Sequence, residues 1–187
     1  MLRPIYLQPG DKVALISPSG VATKEQLDAA CSLLTSWELE PVPGQHVLSR
    51  HGRLAGTDKE RLHDLQTALD AEDIRAIWCM AGDYGMLRIV QEADYSIFQG
   101  NPKWVIGMND ITVLHSKLHS LGIESLHAFM PSDYNTTSPE VVTQLRNFLF
   151  GIISSYAIPA HPFNRPGIVE TEMIGGMLQW VHNLHDT

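Results

Sequence analysis

Cysteine is scarce: Cys31 and Cys79 are the only two in 187 residues. Two thiols cannot build a disulfide framework, and each sits in an apolar stretch, so buried free thiols are expected. Positive charge is also short, with 13 Lys and Arg against 21 Asp and Glu and a formal net charge of −8. Nucleic acids and anionic membranes are held by clustered basic residues, so neither is an expected partner. The nine His residues add charge only below about pH 6.5. No apolar run approaches the roughly 18 residues of a membrane span. The opening MLRPIYLQPGDKVALISPSG has no apolar core of a signal peptide. No short repeat, low-complexity tract, GxGxxG or Walker pattern occurs, so a nucleotide site is not expected. These exclusions leave a cytoplasmic globular protein as the expectation.

What remains is a chain that is 44% hydrophobic and 18% charged, long enough for one domain with a real core. Apolar runs alternate with amphipathic segments. Lys12 to Ser17 reads as a buried strand, followed by turn residues Pro18, Ser19 and Gly20. Thr23 to Trp37 reads as a helix with Thr23 as N-cap and Leu27, Ala30, Leu33 and Leu34 on one face. Glu40 to Val42 opens a second strand, and Pro43 to Gly56 is loop-like. Asp58 to Leu69 is a helix buried through Leu62, Leu65 and Leu69, with Asp58 suited to its N-terminal dipole. Ile74 to Met80 is a strand, AGDYG a turn, and Tyr84 to Ala93 a helix. Trp104 to Ile106 is a strand closed by Gly107. GMND follows, and Ile111 to Leu121 is a helix with Asp110 as its N-cap. Ser125 to Ala128 is a fifth strand and Pro139 to Phe150 a further helix.

Strands alternating with helices imply an α/β fold: a parallel sheet with helices on both faces, flavodoxin-like, joined by right-handed crossovers. Ligands of such sheets sit beyond the carboxyl ends of the strands. Three turns fall there: SPSG, AGDYG and GMND. Residues 1–150 are expected to form this domain. From Gly151 the pattern changes. YAIPAHPFNRPG reads as an extended connector, and EMIGGMLQWVHNL resumes an apolar pattern. It is either the start of a second domain or a helix that docks on the first.

At these motifs the sequence resembles the LD-carboxypeptidase family. Its members are serine peptidases that cleave the bond between an L- and a D-centre in murein tetrapeptides, and they include the microcin-immunity hydrolases. LQPGDKVALISPSG resembles the family's first strand and turn. AGTDKERLHDLQTAL with IRAIWCMAGDYGMLRIV resembles its central helix, strand and glycine turn. NPKWVIGMNDITVLHSKL resembles the segment that carries the nucleophile. SLHAFM resembles the segment usually written His-Gly-Pro, and IGGMLQWVHNLHDT the opening of the C-terminal domain. The resemblance implies a cofactor-free homo-oligomer acting on a murein-derived peptide. It also implies that residues 151–187 are connector plus the first residues of a C-terminal domain otherwise absent from this chain.

The family's reaction is acyl transfer by Ser, with His as base, Glu as orienter and backbone amides for the oxyanion. The resemblance puts the nucleophile in Gly-aromatic-Ser-Asp, which here reads Gly107-Met108-Asn109-Asp110, so Asn109 takes the Ser position. It puts the oxyanion amides at Asp83, in Ala81-Gly82-Asp83-Tyr84-Gly85 for the family's Arg-Gly-Gly-Tyr-Gly, and at Asp110. An Asp at 83 would set a carboxylate against developing negative charge. Ser17, Ser19, Gly82, Tyr84 and His127 are the candidate substrate-binding residues. The catalytic Glu and His are implied to lie beyond Thr187. The expectation is therefore an LD-carboxypeptidase-like chain that is catalytically inactive. The alternative is a non-enzymatic module that binds murein peptide or a protein.

Other residue groups invite weaker readings. His115 and His119 have zinc-compatible i, i+4 spacing, but HSKLH lacks the metalloprotease Glu, and His115 lies in an apolar stripe. His182 and His185 read as solvated. No metal is expected. Trp37, Trp78 and Trp104 read as core, whereas Trp180 reads equally as an exposed interface anchor or as docked on its own chain.

Overall fold

The structure is a computed structural model that describes residues 1–152, 159–165 and 167–185. The connector residues 156–158 and 166 lie outside the described residues, as do the side chains from Asn183 on, including His185. Among the described residues, five strands run in parallel in one sheet: β1 (Lys12–Ile16), β2 (Glu40–Pro43), β3 (Ile74–Cys79), β4 (Trp104–Gly107) and β5 (Leu126–His127). Their order is β2-β1-β3-β4-β5. This is the flavodoxin-like order, whose reversal point lies between β1 and β3.

Helices cover both faces: α1 (Lys24–Ser36), α2 (Asp58–Asp70), α3 (Ser96–Gly100), α4 (Thr112–Ser120), α5 (Pro139–Leu149) and α6 (Leu178–His185). Side chains alternate along each strand, so each strand feeds two cores. Ala14, Ile16, Ile77, Cys79 and Val105 pack under α2, α3 and α4 through Leu65, Leu69, Phe98 and Leu114. Val13, Leu15, Trp78, Trp104 and Ile106 pack under α1 and α5 through Leu27, Leu34 and Leu145. Near-continuous burial of β3 and β4 fits a sheet covered on both sides. Trp78 and Trp104 are core residues, and their indole N–H groups donate to the carbonyls of Phe129 and Ile5, both at 3.0 Å.

Helix starts follow the capping signals. Thr23 and Gln26 form a capping box on α1, and Thr57 and Glu60 form another on α2. Asp58 therefore sits one position inside α2, where its carboxylate meets the Arg61 and Arg88 guanidinium groups. These bonds, first that from Arg88, hold its carboxyl below the usual range. Cys79 is buried and Cys31 half-buried, both as free thiols, and burial pushes the Cys79 thiol far up.

Three local expectations fail. Residues 84–93 are not one helix. A single 3-10 turn, Met86–Arg88, is followed by further turns, and α3 begins at Ser96. The buried spacing of Met86, Ile89, Val90 and Ala93 is helical. Side chains nevertheless capture the backbone groups that would close the helix. The Val90 carbonyl accepts from Tyr95 Oη at 3.0 Å, and the Asp94 N–H donates to Gln66 Oε1 at 2.8 Å. Second, Asp110 does not cap the helix after β4. It lies in a 3-10 turn, Asn109–Ile111, and α4 starts at Thr112 with no side-chain cap. Third, β5 is shorter than read, at two residues.

The segment after the connector docks on its own chain. The Met177 N–H donates to Thr112 Oγ1 at 3.0 Å, and Trp180, 9% exposed, joins the core beside α4. Of the two readings for Trp180, the docked one holds.

Candidate functional site

Three turns meet where the sheet reverses: Ser17–Gly20 after β1, Ala81–Gly85 after β3 and Gly107–Asp110 after β4. They pack backbone against backbone. A Cβ on Gly20 would lie 2.7 Å from the Gly82 carbonyl oxygen, and a Cβ on Gly82 would lie 2.7 Å from Asn109 Cβ. Neither position has room for a side chain, which is the physical meaning of glycine in SPSG and AGDYG.

Asp110 holds the three turns together. Its side chain is fully buried. Oδ2 accepts from Ser19 Oγ at 2.6 Å, from the Gly85 N–H at 2.8 Å and from the Met86 N–H at 3.0 Å, while Oδ1 accepts from the Asp83 N–H at 3.0 Å. Ser19 Oγ in turn accepts from the N–H groups of Asp83, Tyr84 and Gly85 at 2.8–3.2 Å. A buried carboxylate is tolerable only when its lone pairs are filled, and here four donors fill them. Both partners of the glycine turn thus come from the ends of other strands.

Asn109 occupies the tight corner between β4 and Asp110. Its φ is 62°, left-handed space that a non-glycine residue enters at a cost and that Asn tolerates better than most. The residue is half-buried beside Gly82. A sharp strand-to-helix turn of this kind is how α/β hydrolases expose a nucleophile at the top of a sheet.

The remaining residues singled out from the sequence divide around this centre. Gly82, Asp83 and Tyr84 lie on it. The Asp83 carboxylate turns outward to Arg53 Nη2 at 3.0 Å, and its N–H is engaged by Asp110 and Ser19. Tyr84 is 59% exposed. Ser19 is fully buried within it, and buried Ser17 donates its hydroxyl to the Val47 carbonyl at 2.7 Å. His127 lies on the far side of β4. Its backbone pairs with Gly107, and its side chain lines a separate groove of about 950 Å³ between α4, α5 and residues 170–176.

One contributor escaped the sequence reading, and a second was read only as core. Arg61, 1% exposed, donates to the carbonyls of Pro18 at 3.1 Å and Gly56 at 2.9 Å and so fixes the turn after β1 from α2. A lone Arg among helix charges gives no sign of burial in sequence. His115, read as core, has a role as well. Its Nε2–H donates to the Gly107 carbonyl at 3.0 Å, which leaves Nδ1 to accept from the Ser125 hydroxyl at 2.8 Å. Burial pushes this imidazole down to about 4.

Residues 13–128 match the family model described as the LD-carboxypeptidase N-terminal domain. The chain belongs to the LD-carboxypeptidase family. A Pseudomonas aeruginosa murein tetrapeptide carboxypeptidase is 38% identical over 122 residues, covering 64% of this chain and 40% of that protein. A Bacillus subtilis protein named "Probable murein peptide carboxypeptidase" is 30% identical over 182 residues, covering 94% of this chain and 57% of that one. Among solved structures, the microcin C7 self-immunity protein, bound to aspartyl sulfamoyl adenosine, superposes with a TM-score of 0.75 at 20% identity. The superposition covers 94% of this chain and 58% of that one. The fold of this LD-carboxypeptidase domain is thus shared with that protein, and the chain spans 57% or less of the two curated relatives' length. The matched residues include all three turns and stop at the end of β5.

Proposed function

We propose that this chain is the N-terminal α/β part, residues 1–150, of an LD-carboxypeptidase-type protein directed at murein-derived peptides, and that these 187 residues do not themselves hydrolyse the L,D bond. Residues 151–187 are, on this reading, connector and the first residues of the family's C-terminal domain, and the docking of Met177 and Trp180 beside α4 is where that domain begins. The observation that carries it is Asn109. It stands at the corner after β4 where a nucleophile would be presented, with φ 62°. Serine-type acyl transfer needs a hydroxyl whose proton can be taken as its oxygen attacks the carbonyl. A carboxamide nitrogen has its lone pair delocalised into its own carbonyl and offers no equivalent. Loss of a triad Ser leaves only what binding and oxyanion stabilisation supply.

The geometry around the corner supports retention of the mouth despite loss of the chemistry. Asp110, Ser19 and Gly82 still fix the turns to one another. The same reading includes a cytoplasmic homo-oligomer, for which light scattering of the pure chain is the check.

The test is release of the terminal D-amino acid from murein tetrapeptide by the pure chain. The expected result is no release above the uncatalysed background. Turnover at the rate of a serine peptidase, abolished by Asn109→Ala, would overturn the proposal. Calorimetry with the same tetrapeptide at millimolar concentration reads whether the mouth still binds.

A further inference from the structure

A second convergence of side chains lies between the loop after β2 and the middle of α2. His46 comes from the loop, His63 and Asp64 from the helix. One ligand atom from each lies within 4.8 Å of the other two. Asp64 is 4% exposed, and its carboxylate is accounted for by His46: Oδ2 accepts the His46 backbone N–H at 2.8 Å and Oδ1 meets Nδ1 at 2.9 Å. The His46 and His63 rings meet edge-on with centroids 5.3 Å apart. Residue 44 must be glycine for this arrangement, since a Cβ there would collide with the Asp64 carboxylate. A cavity of about 220 Å³, bordered by Gly44, His63, Asp64 and Thr67, opens beside the group.

A buried carboxylate favours a positive partner, and among the described residues neither Lys nor Arg pairs with Asp64. Two imidazoles and one carboxylate are the donor types of borderline divalent ions, and three protein ligands with one open position make a familiar zinc geometry. Tetrahedral ligation at about 2.0–2.1 Å sets ligand atoms roughly 3.3 Å apart. The His46–Asp64 contact needs to open by a few tenths of an ångström, and rotation of the exposed His63 ring closes the longer gap.

We propose that His46, His63 and Asp64 form a binding site for a divalent transition-metal ion of the zinc class, with the fourth position open to the adjoining cavity. Loading shifts the His46 proton from Nδ1 to Nε2, so that Nδ1 exchanges its hydrogen bond to Asp64 for a bond to the metal. The site joins β2, an edge strand, to α2, and it stands independently of the reading of Asn109.

The test is titration of chelator-stripped protein with Zn²⁺, with Co²⁺ as an optical probe of four-coordinate ligation. One equivalent is expected to bind with micromolar affinity or better. His63→Ala changes an exposed residue and leaves the fold intact by circular dichroism. It is expected to weaken binding about tenfold or more, as is His46→Ala, whereas His51→Ala leaves it unchanged. Absence of saturable binding up to about 100 μM Zn²⁺ overturns the proposal. So does wild-type affinity in the folded His63→Ala protein.

Discussion

At the scale of single residues, Asp110 has the most to lose. Its carboxylate accepts four hydrogen bonds from donors on two other turns. In Asp110→Asn one oxygen becomes an amide that faces N–H groups and cannot accept from them. A buried donor left unmatched costs about 1–3 kcal/mol, and bonds to a charged acceptor lie at the upper end. Asp110→Asn is therefore expected to lose about 3 kcal/mol of stability, read as a lower urea midpoint at constant m-value. An unchanged midpoint would show that the three turns do not depend on this carboxylate. The sequence marked Asp110 as a helix cap, and the family resemblance marked its backbone N–H as an oxyanion amide; neither reading made its carboxylate the tie between the turns. Only the crossing of three chain segments shows that its partners lie 24 to 27 residues away in the glycine turn and 91 residues away at Ser19. Asn109 was legible for the opposite reason. Its place at the family's Ser position is what the resemblance implies, and the structure adds only that it stands at the corner after β4 with φ 62°.

At the scale of elements, strands and capped helices were readable wherever local chemistry decides them. Thr23, read as the cap, begins α1 through bonds made within three residues, and α2, read from Asp58, begins there under an equally local Thr57–Glu60 cap that was not named. The segment 84–93 was not readable because distant side chains claim N–H groups at its two ends: Asp110 accepts from Gly85 and Met86, and Gln66 accepts from Asp94 just past it. Its buried spacing still looks helical. Arg61 shows the same dependence between elements. From α2 it reaches the carbonyls of Pro18 and Gly56 and the carboxylate of Asp58. Arg61→Ala removes a buried cation and strands those acceptors, and breaking such a buried set typically costs about 3–5 kcal/mol. The turn after β1 should loosen first. Hydrogen exchange should therefore rise at Ala55, whose N–H is bonded to Ser19 O at 2.9 Å, before the strands are affected. Equal protection at Ala55 in the variant would count against Arg61 as the brace of that turn.

At the scale of the whole molecule, stability depends on pH through the joint between β4, β5 and α4. His115 is held neutral there. Burial depresses its imidazole to about 4, with His127 nearby adding to the effect and the bond to Gly107 O opposing it. In the unfolded chain the same group titrates near 6.5. Between those values the unfolded chain binds the extra proton and the folded one does not, so stability falls as pH falls. The contribution is fully present above about pH 6.5 and is lost at about 1.4 kcal/mol per pH unit toward pH 4, roughly 3 kcal/mol in all. Protonation would also put a donor on Nδ1 against the Ser125 hydroxyl, which now donates to it. Urea midpoints measured from pH 7 to pH 4.5 should decline steeply in the native chain. In His115→Gln the decline over this window should be much shallower, even though the variant starts from a lower midpoint at pH 7. Parallel slopes in the two proteins would mean that the acid sensitivity resides elsewhere in a chain whose formal net charge at neutral pH is −8.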